Sequence, residues 1–148
     1  EFSDKNNLAK YQALQPLYNL VERKGYETNY APIVAEHGLT VFPYYALASG
    51  FLTGKYRSEN DFSKSPRGQG AAKYLNEQGL NILKALDQIA AKHHSVPAAV
   101  ALAWLSAQPI ICGPIASATS KEQLTEILSS SSLSLDSADM QMLDKVSQ

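Results

Sequence analysis

The chain has 148 residues, is 45% apolar and 18% charged, and carries a formal net charge of −1. That length supports one ordinary domain with a real core, and the near-neutral balance argues against a nucleic-acid binder, which leaves a basic footprint. A membrane span needs about 18 consecutive apolar residues, and the sequence holds no such run.

The opening "EFSDKNN" lacks the apolar core of a signal peptide. It also lacks an initiator Met, as a stretch from inside a longer protein would. Residues 11–20, "YQALQPLYNL", read as a first strand, rich in aromatic and aliphatic residues although Pro16 breaks the alternation. Residues 29–38 read as a short helix, with Asn29 as a cap and Gly38 as the C-terminal stop. Residues 39–47, "LTVFPYYAL", are the second strand. Residues 57–71 are polar with Gly and Pro, a long loop for a compact domain and therefore a candidate lid or binding segment.

A long amphipathic helix is expected over 77–93, where Leu80, Leu83, Leu86 and Ala90, flanked by Ile82 and Ile89, form one apolar stripe. "VPAAVALAWLSAQ" is a second helix, with Pro97 in its first turn and Ser95 as a candidate cap. It is apolar nearly all round and should be buried between layers. "PIICGPIAS" is the third strand, a continuous apolar run of the kind a parallel sheet buries on both faces. Its single cysteine, Cys112, reads as a buried, inert thiol. One cysteine without an internal partner fits a reducing, cytoplasmic setting. A helix opens within "IASATSKEQLTEIL", residues 115–128; "SSSSLSLD" is a turn; a last helix sets Met140, Leu143 and Val146 at spacing three. His37, His93 and His94 lie at helix ends and read as solvated side chains rather than catalysts.

Strands separated by helices imply parallel pairing with right-handed crossovers, hence an α/β fold. Three such strands leave two exposed edges, and apolar strands want neighbours. The pattern is that of part of a larger fold.

"ALQPLYNLVER", "VFPYYALASGFLTGKYR" and "PIASATSKEQLTEI", in this order and spacing, resemble the C-terminal half of an aldo-keto reductase. The resemblance is to the long-loop branch that includes bacterial reductases and potassium-channel β-subunits, and it runs from about Tyr11 to the end. It implies an α/β fold that is the C-terminal part of a (β/α)8 TIM barrel, with strands six to eight and the helices that follow. It also implies that the family's catalytic Asp, Tyr, Lys and His come from earlier strands, so no catalytic residue is assigned here. Hydride transfer to a carbonyl needs a proton donor beside the developing alkoxide. No Tyr of this sequence matches the family's donor.

In barrels of this kind ligands sit at the C-terminal ends of the strands. By resemblance, Gln15 hydrogen-bonds a nicotinamide carboxamide, which an amide can serve as both donor and acceptor. Tyr44 takes the place of the aromatic that stacks on the nicotinamide, although core packing is the bland reading of any strand aromatic. Tyr45 and Ala46 replace the family's usual Ser and Pro, ahead of Leu47. Leu47, Ala48, Ser49 and Gly50 would run beneath the pyrophosphate, with backbone amides as donors. Lys55 supplies a point charge, and Arg67 matches an arginine that closes over the adenosine end.

Ser117, Thr119, Gln123 and Glu126 match phosphate and adenine contacts, with Ser117 in place of a Gly and Ile127 in place of an Asn. The cofactor implied is NADPH. NADH remains open, because no cation at this last site grips a 2′-phosphate and Arg67 would have to compensate. Read locally, Thr119 with Glu122 and Ser120 with Gln123 both have capping-box spacing, and a helix N-terminus attracts an anion.

The expected function is therefore the cofactor-binding half of an NAD(P)H-dependent oxidoreductase, whose whole protein reduces a small carbonyl substrate. The alternative is a half-barrel binding or assembly module, self-associating through its strand edges or pairing with a separate N-terminal half. A different barrel enzyme finds no nucleophile–base pair or metal-ligand cluster to support it.

Overall fold

Prolines at 16, 43, 109 and 114 remove ladder donors from the apolar segments, and the strands are correspondingly short. The computed structural model describes residues 2–148. In chain order it has α1 (Phe2–Lys5), β1 (Ala13–Leu14), α2 (Lys24–Asn29), α3 (Ala31–His37), β2 (Thr40–Val41), α4 (Gly68–Ala71), α5 (Glu77–Lys92), α6 (Pro97–Ser106), α7 (Lys121–Ser129) and α8 (Ser137–Ser147). Tight 3₁₀ turns occupy Ala48–Thr53, Glu59–Lys64, Ala72–Tyr74 and Ser130–Ser132.

β1 and β2 pair in parallel, Ala13 opposite Thr40 and Leu14 opposite Val41. Single parallel bridges extend the ladder at Leu17–Tyr44 and add the third segment at Val41–Ile111. The central segment is bonded on both sides: Phe42 N donates to Leu14 O at 3.0 Å, and Cys112 N donates to Val41 O at 2.9 Å. Ile115 N reaches Pro43 O at 2.8 Å, so the carbonyl of a residue that cannot donate is still used. Three parallel segments are thus present, as the sequence predicts, but two of the expected strands of nine or ten residues shrink to two residues each and the third to one bridge.

Burial also departs from expectation. Phe42, Ile110 and Ile115 are exposed, so the ladder is not covered on both faces. Cys112 is exposed rather than buried.

The helices follow their local chemistry. Asn76 caps α5 by accepting the amide of Gly79 at 2.9 Å. Ile82, Leu83, Leu86, Ile89 and Ala90 form its buried face, whereas Leu80 points outward. α6 begins at Pro97 after Val96, not Ser95, and is buried at every position from Ala98 to Leu105. It packs on α5, which packs in turn on α8. The core gathers Trp104, Tyr18, Tyr56, Phe51 and Leu52 between these helices and the ladder. The helix expected over 29–38 is α3, ending at Gly38 with φ 61°, but Asn29 does not cap it: Asn29 is the last residue of α2 and Tyr30 stands at the cap. That left-handed stop is the conformation glycine adopts most readily.

Candidate functional site

The turn after β2 is the most constrained backbone in the molecule. Tyr45, Ala48, Ser49 and Gly50 all have positive φ, at 57°, 50°, 59° and 87°. A side chain in this region costs about 1 kcal/mol or more per residue, and such strain gathers at functional loops. Ala48 N donates to Tyr45 O and Gly50 N to Leu47 O, both at 2.8 Å. Two of the four amides expected to serve a pyrophosphate are therefore used inside the loop.

Around this turn Tyr44, Tyr45, Leu47, Ser49, Arg67 and Ser117 border one groove of about 370 Å³, with Gly50 at its floor. Arg67 Nη1 lies 3.4 Å from Ser117 Oγ, so the long middle segment reaches the end of the third parallel segment. Lys55 is packed against Gly50: a Cβ at position 50 would meet Lys55 Cε at 3.0 Å and Nζ at 3.1 Å. Its ammonium also lies 5.0 Å from the Tyr56 ring centre. Among the described residues, neither Lys55 nor Arg67 forms an ion pair, unlike Lys64, Lys73 and Lys92. Arg67 on the groove wall and Lys55 packed against Gly50 behind it, both without a carboxylate partner among the described residues, make this end of the ladder anion-attracting.

Tyr44 sits at the junction of three clefts. The second, of about 300 Å³, is bordered by Gln15, Leu17, Tyr26 and Tyr30. The third, of about 490 Å³, runs past Ser49, Gly70, Lys73 and Tyr74. The Tyr44 and Tyr45 rings meet edge to face at 5.6 Å. Gln15 is exposed on the second cleft rather than tied into the fold.

Thr119, Gln123 and Glu126 do not border the groove. Thr119 N and Oγ1 both donate to Gln123 Oε1, at 3.0 and 3.1 Å, while Ser120 caps α7 by accepting Gln123 N at 3.3 Å. Glu126 is exposed one turn later. Ser120 thus caps α7, but the expected reciprocal box does not close, because Gln123 reaches back to Thr119 instead of Ser120. No cluster of three or more His, Cys, Asp or Glu side chains is placed to hold a metal among the described residues.

The segment 57–71 is more ordered than a loop. Ser58 and Asp61 cap its first turn reciprocally. Arg57 makes a bidentate pair with Asp87 of α5 at 2.7 and 2.8 Å, and Tyr56 Oη is 2.5 Å from Ser65 Oγ. These bonds fix the approach of Arg67 to the groove.

An ordered cationic groove at the ends of parallel segments fits many chemistries, and the comparison of sequences narrows them. The model of the aldo/keto reductase family matches residues 4–148. This chain belongs to that family. Among relatives of this aldo/keto reductase, a probable voltage-gated potassium channel subunit beta of Arabidopsis thaliana is 32% identical over 117 residues, covering 76% of this chain and 36% of that protein. Protein tas of Escherichia coli is 28% identical over 152 residues, 99% of this chain and 42% of that protein. The aldo-keto reductase yakc of Schizosaccharomyces pombe, whose name carries NADP(+), is 34% identical over 76 residues, 49% of this chain and 22% of that protein. The chain spans well under half the length of each.

Asn19, Glu22, Lys73 and Tyr74 are not among the site residues that the sequence singles out. Asn19 is fully buried and bonded on both ends of its amide. Glu22 accepts from Lys73 Nζ at 2.7 Å and Tyr74 Oη at 2.9 Å. The Lys73 ammonium holds the Glu22 carboxyl below its ordinary range, and Glu22 in turn raises Lys73. An Asn inside "LYNLV" was the available signal, because a polar side chain among apolar ones must find partners when buried. The reading of His93 is also corrected: its Nε2 is 2.7 Å from Oδ2 of the buried Asp139.

Proposed function

We propose that this chain is the cofactor-binding half of an NAD(P)H-dependent aldo/keto reductase, corresponding to strands six to eight of a (β/α)8 barrel. The observation that carries the reading is the pair of cations without acidic partners, Lys55 and Arg67, set against the left-handed turn at Gly50 and against Ser117. The donor set suits a dinucleotide: two aromatic faces, two hydroxyls and Arg67 line a cleft of ordinary ligand size, with Lys55 packed against its Gly50. When bound, the nicotinamide would supply the hydride that reduces a carbonyl.

The chain's own residues would bind and orient. Tyr44 would cover one face of the nicotinamide, and Gln15 would pair with its carboxamide across the second cleft. Lys55 would neutralise the pyrophosphate, with Ser49 and Gly50 beneath it. Arg67 and Ser117 would close over the adenosine side, where Thr119, Gln123 and Glu126 continue along the start of α7. Arg67 is the cation available for a 2′-phosphate, so NADPH is favoured over NADH. The proton donor and most of the carbonyl pocket would come from barrel segments outside these residues. Among the described residues no helix is long and apolar enough to cross a membrane.

A second reading has its own support. Tyr11, Ile110 and Ile115 are exposed beside a parallel ladder whose outer segments are paired on one side, a surface suited to a second copy or to a separate N-terminal half.

One preparation tests both readings, by sizing it and then titrating it with NADPH and NADH while following nicotinamide fluorescence. Saturable binding, weakened about ten-fold or more by Lys55→Ala through loss of a charge-assisted contact, supports the cofactor reading. A self-associated species with no affinity for either nucleotide supports the module.

A further inference from the structure

We infer that Asn19 is the positioning residue of the cofactor groove, acting through the Tyr45 carbonyl and through Glu22; the ligand it serves rests on the cofactor reading above. Its side chain is fully buried. Nδ2 donates to Tyr45 O at 2.9 Å, and Oδ1 accepts from Val21 N at 2.9 Å and Glu22 N at 3.0 Å. Tyr45 O also accepts from Ala48 N at 2.8 Å, so one carbonyl receives both the side chain and the amide that shapes the strained turn. Three of the next five residues, Ala48, Ser49 and Gly50, are left-handed and line or underlie the groove.

The other end of the amide sets a second border. By holding the Glu22 backbone, Asn19 fixes the carboxylate that binds Lys73 Nζ and Tyr74 Oη. Lys73 and Tyr74 border the third cleft opposite Tyr45 and Ser49. A single buried amide therefore spaces both walls around Tyr44, and it does so without touching the groove. The residue type matters: a primary amide on a side chain of this length reaches Tyr45 with its donor while its oxygen accepts from two amides at once.

Asn19→Asp separates the two roles. It keeps an oxygen for Val21 and Glu22 but turns a carboxylate oxygen toward the Tyr45 carbonyl. Asn19→Ser is the second variant, since a hydroxyl can serve the local amides but is too short to reach position 45. Amide hydrogen exchange is read at Ala48 and Gly50, with Leu83 and Leu86 of α5 as the core reference, and NADPH affinity is measured on the same samples. The expected result is exchange about ten-fold faster at 48 and 50 with 83 and 86 unchanged, and NADPH binding weakened by about ten-fold. Unchanged exchange at 48 and 50, or an equal rise at 83 and 86, overturns the inference. If the wild-type chain takes no NADPH, the cofactor reading fails, and the exchange pattern still decides the role of Asn19.

Discussion

A methyl group at position 79 would collide with the carbonyl oxygen of Tyr74 and lie 2.9 Å from the Phe51 ring. Gly79 is in the first turn of α5, where its amide also satisfies the Asn76 cap. Gly79→Ala must push α5 away from the Tyr74 turn, and overpacking of this kind costs about 1–3 kcal/mol. Chemical denaturation should show that loss, with Gly25→Ala as a control because nothing lies within 4 Å of its added carbon. Equal stability of the two variants would contradict the close packing described. Lys55 and Arg67 could be nominated from sequence because they stand in recognisable strings, "LTGKY" and "SPRG". Asn19 is marked in sequence only as a polar side chain inside "LYNLV"; its role depends on Tyr45, 26 residues away in the chain. Cys112 was misjudged for a related reason: an apolar run implies burial only if something packs over it, and here that side is open.

At the scale of elements, the end of α5 meets the start of α8 through charge. Asp139 accepts from Lys92 Nζ at 2.8 Å and from Asp136 N at 3.2 Å, beside its contact with His93. Burial alone would raise the Asp139 carboxyl, but its bonds to Lys92 and His93 outweigh that and hold it low. Lys92, with the Asp139 amide, brings Asp136 down to about 2. Carboxylates depressed in the folded state stabilise it fully above their unfolded values, near 4, and lose that contribution as pH falls through the folded values.

Urea midpoints should therefore decline from about pH 5 toward pH 2. Asp139→Asn should be less stable at pH 7, by about 1–3 kcal/mol, with a flatter acid limb. An acid limb as steep as the wild type's would show that this junction is not its source. Of the helices, α5 and α6 are readable because their apolar patterns are long and clear and Pro97 marks a first turn. The strand limits are not, because prolines shorten ladders in ways local composition does not reveal. The turn at 57–71 was missed because its order comes from Asp87 and Ser65, not from periodicity.

At the scale of the whole molecule, three parallel segments lie in the order first, second, third, and the groove opens where they end. The exposed Phe42, Ile110 and Ile115 mark where the ladder lacks cover. The central claim is that the groove around Tyr44 holds a nicotinamide dinucleotide. Amide and side-chain NMR shifts of the isotopically labelled chain during an NADPH titration address it most directly. The account predicts saturable shifts concentrated at Gln15, residues 44–50, Lys55, Arg67 and Ser117–Gln123, with α8 unaffected. Shifts absent at saturating nucleotide, or confined to residues remote from that groove, would contradict it.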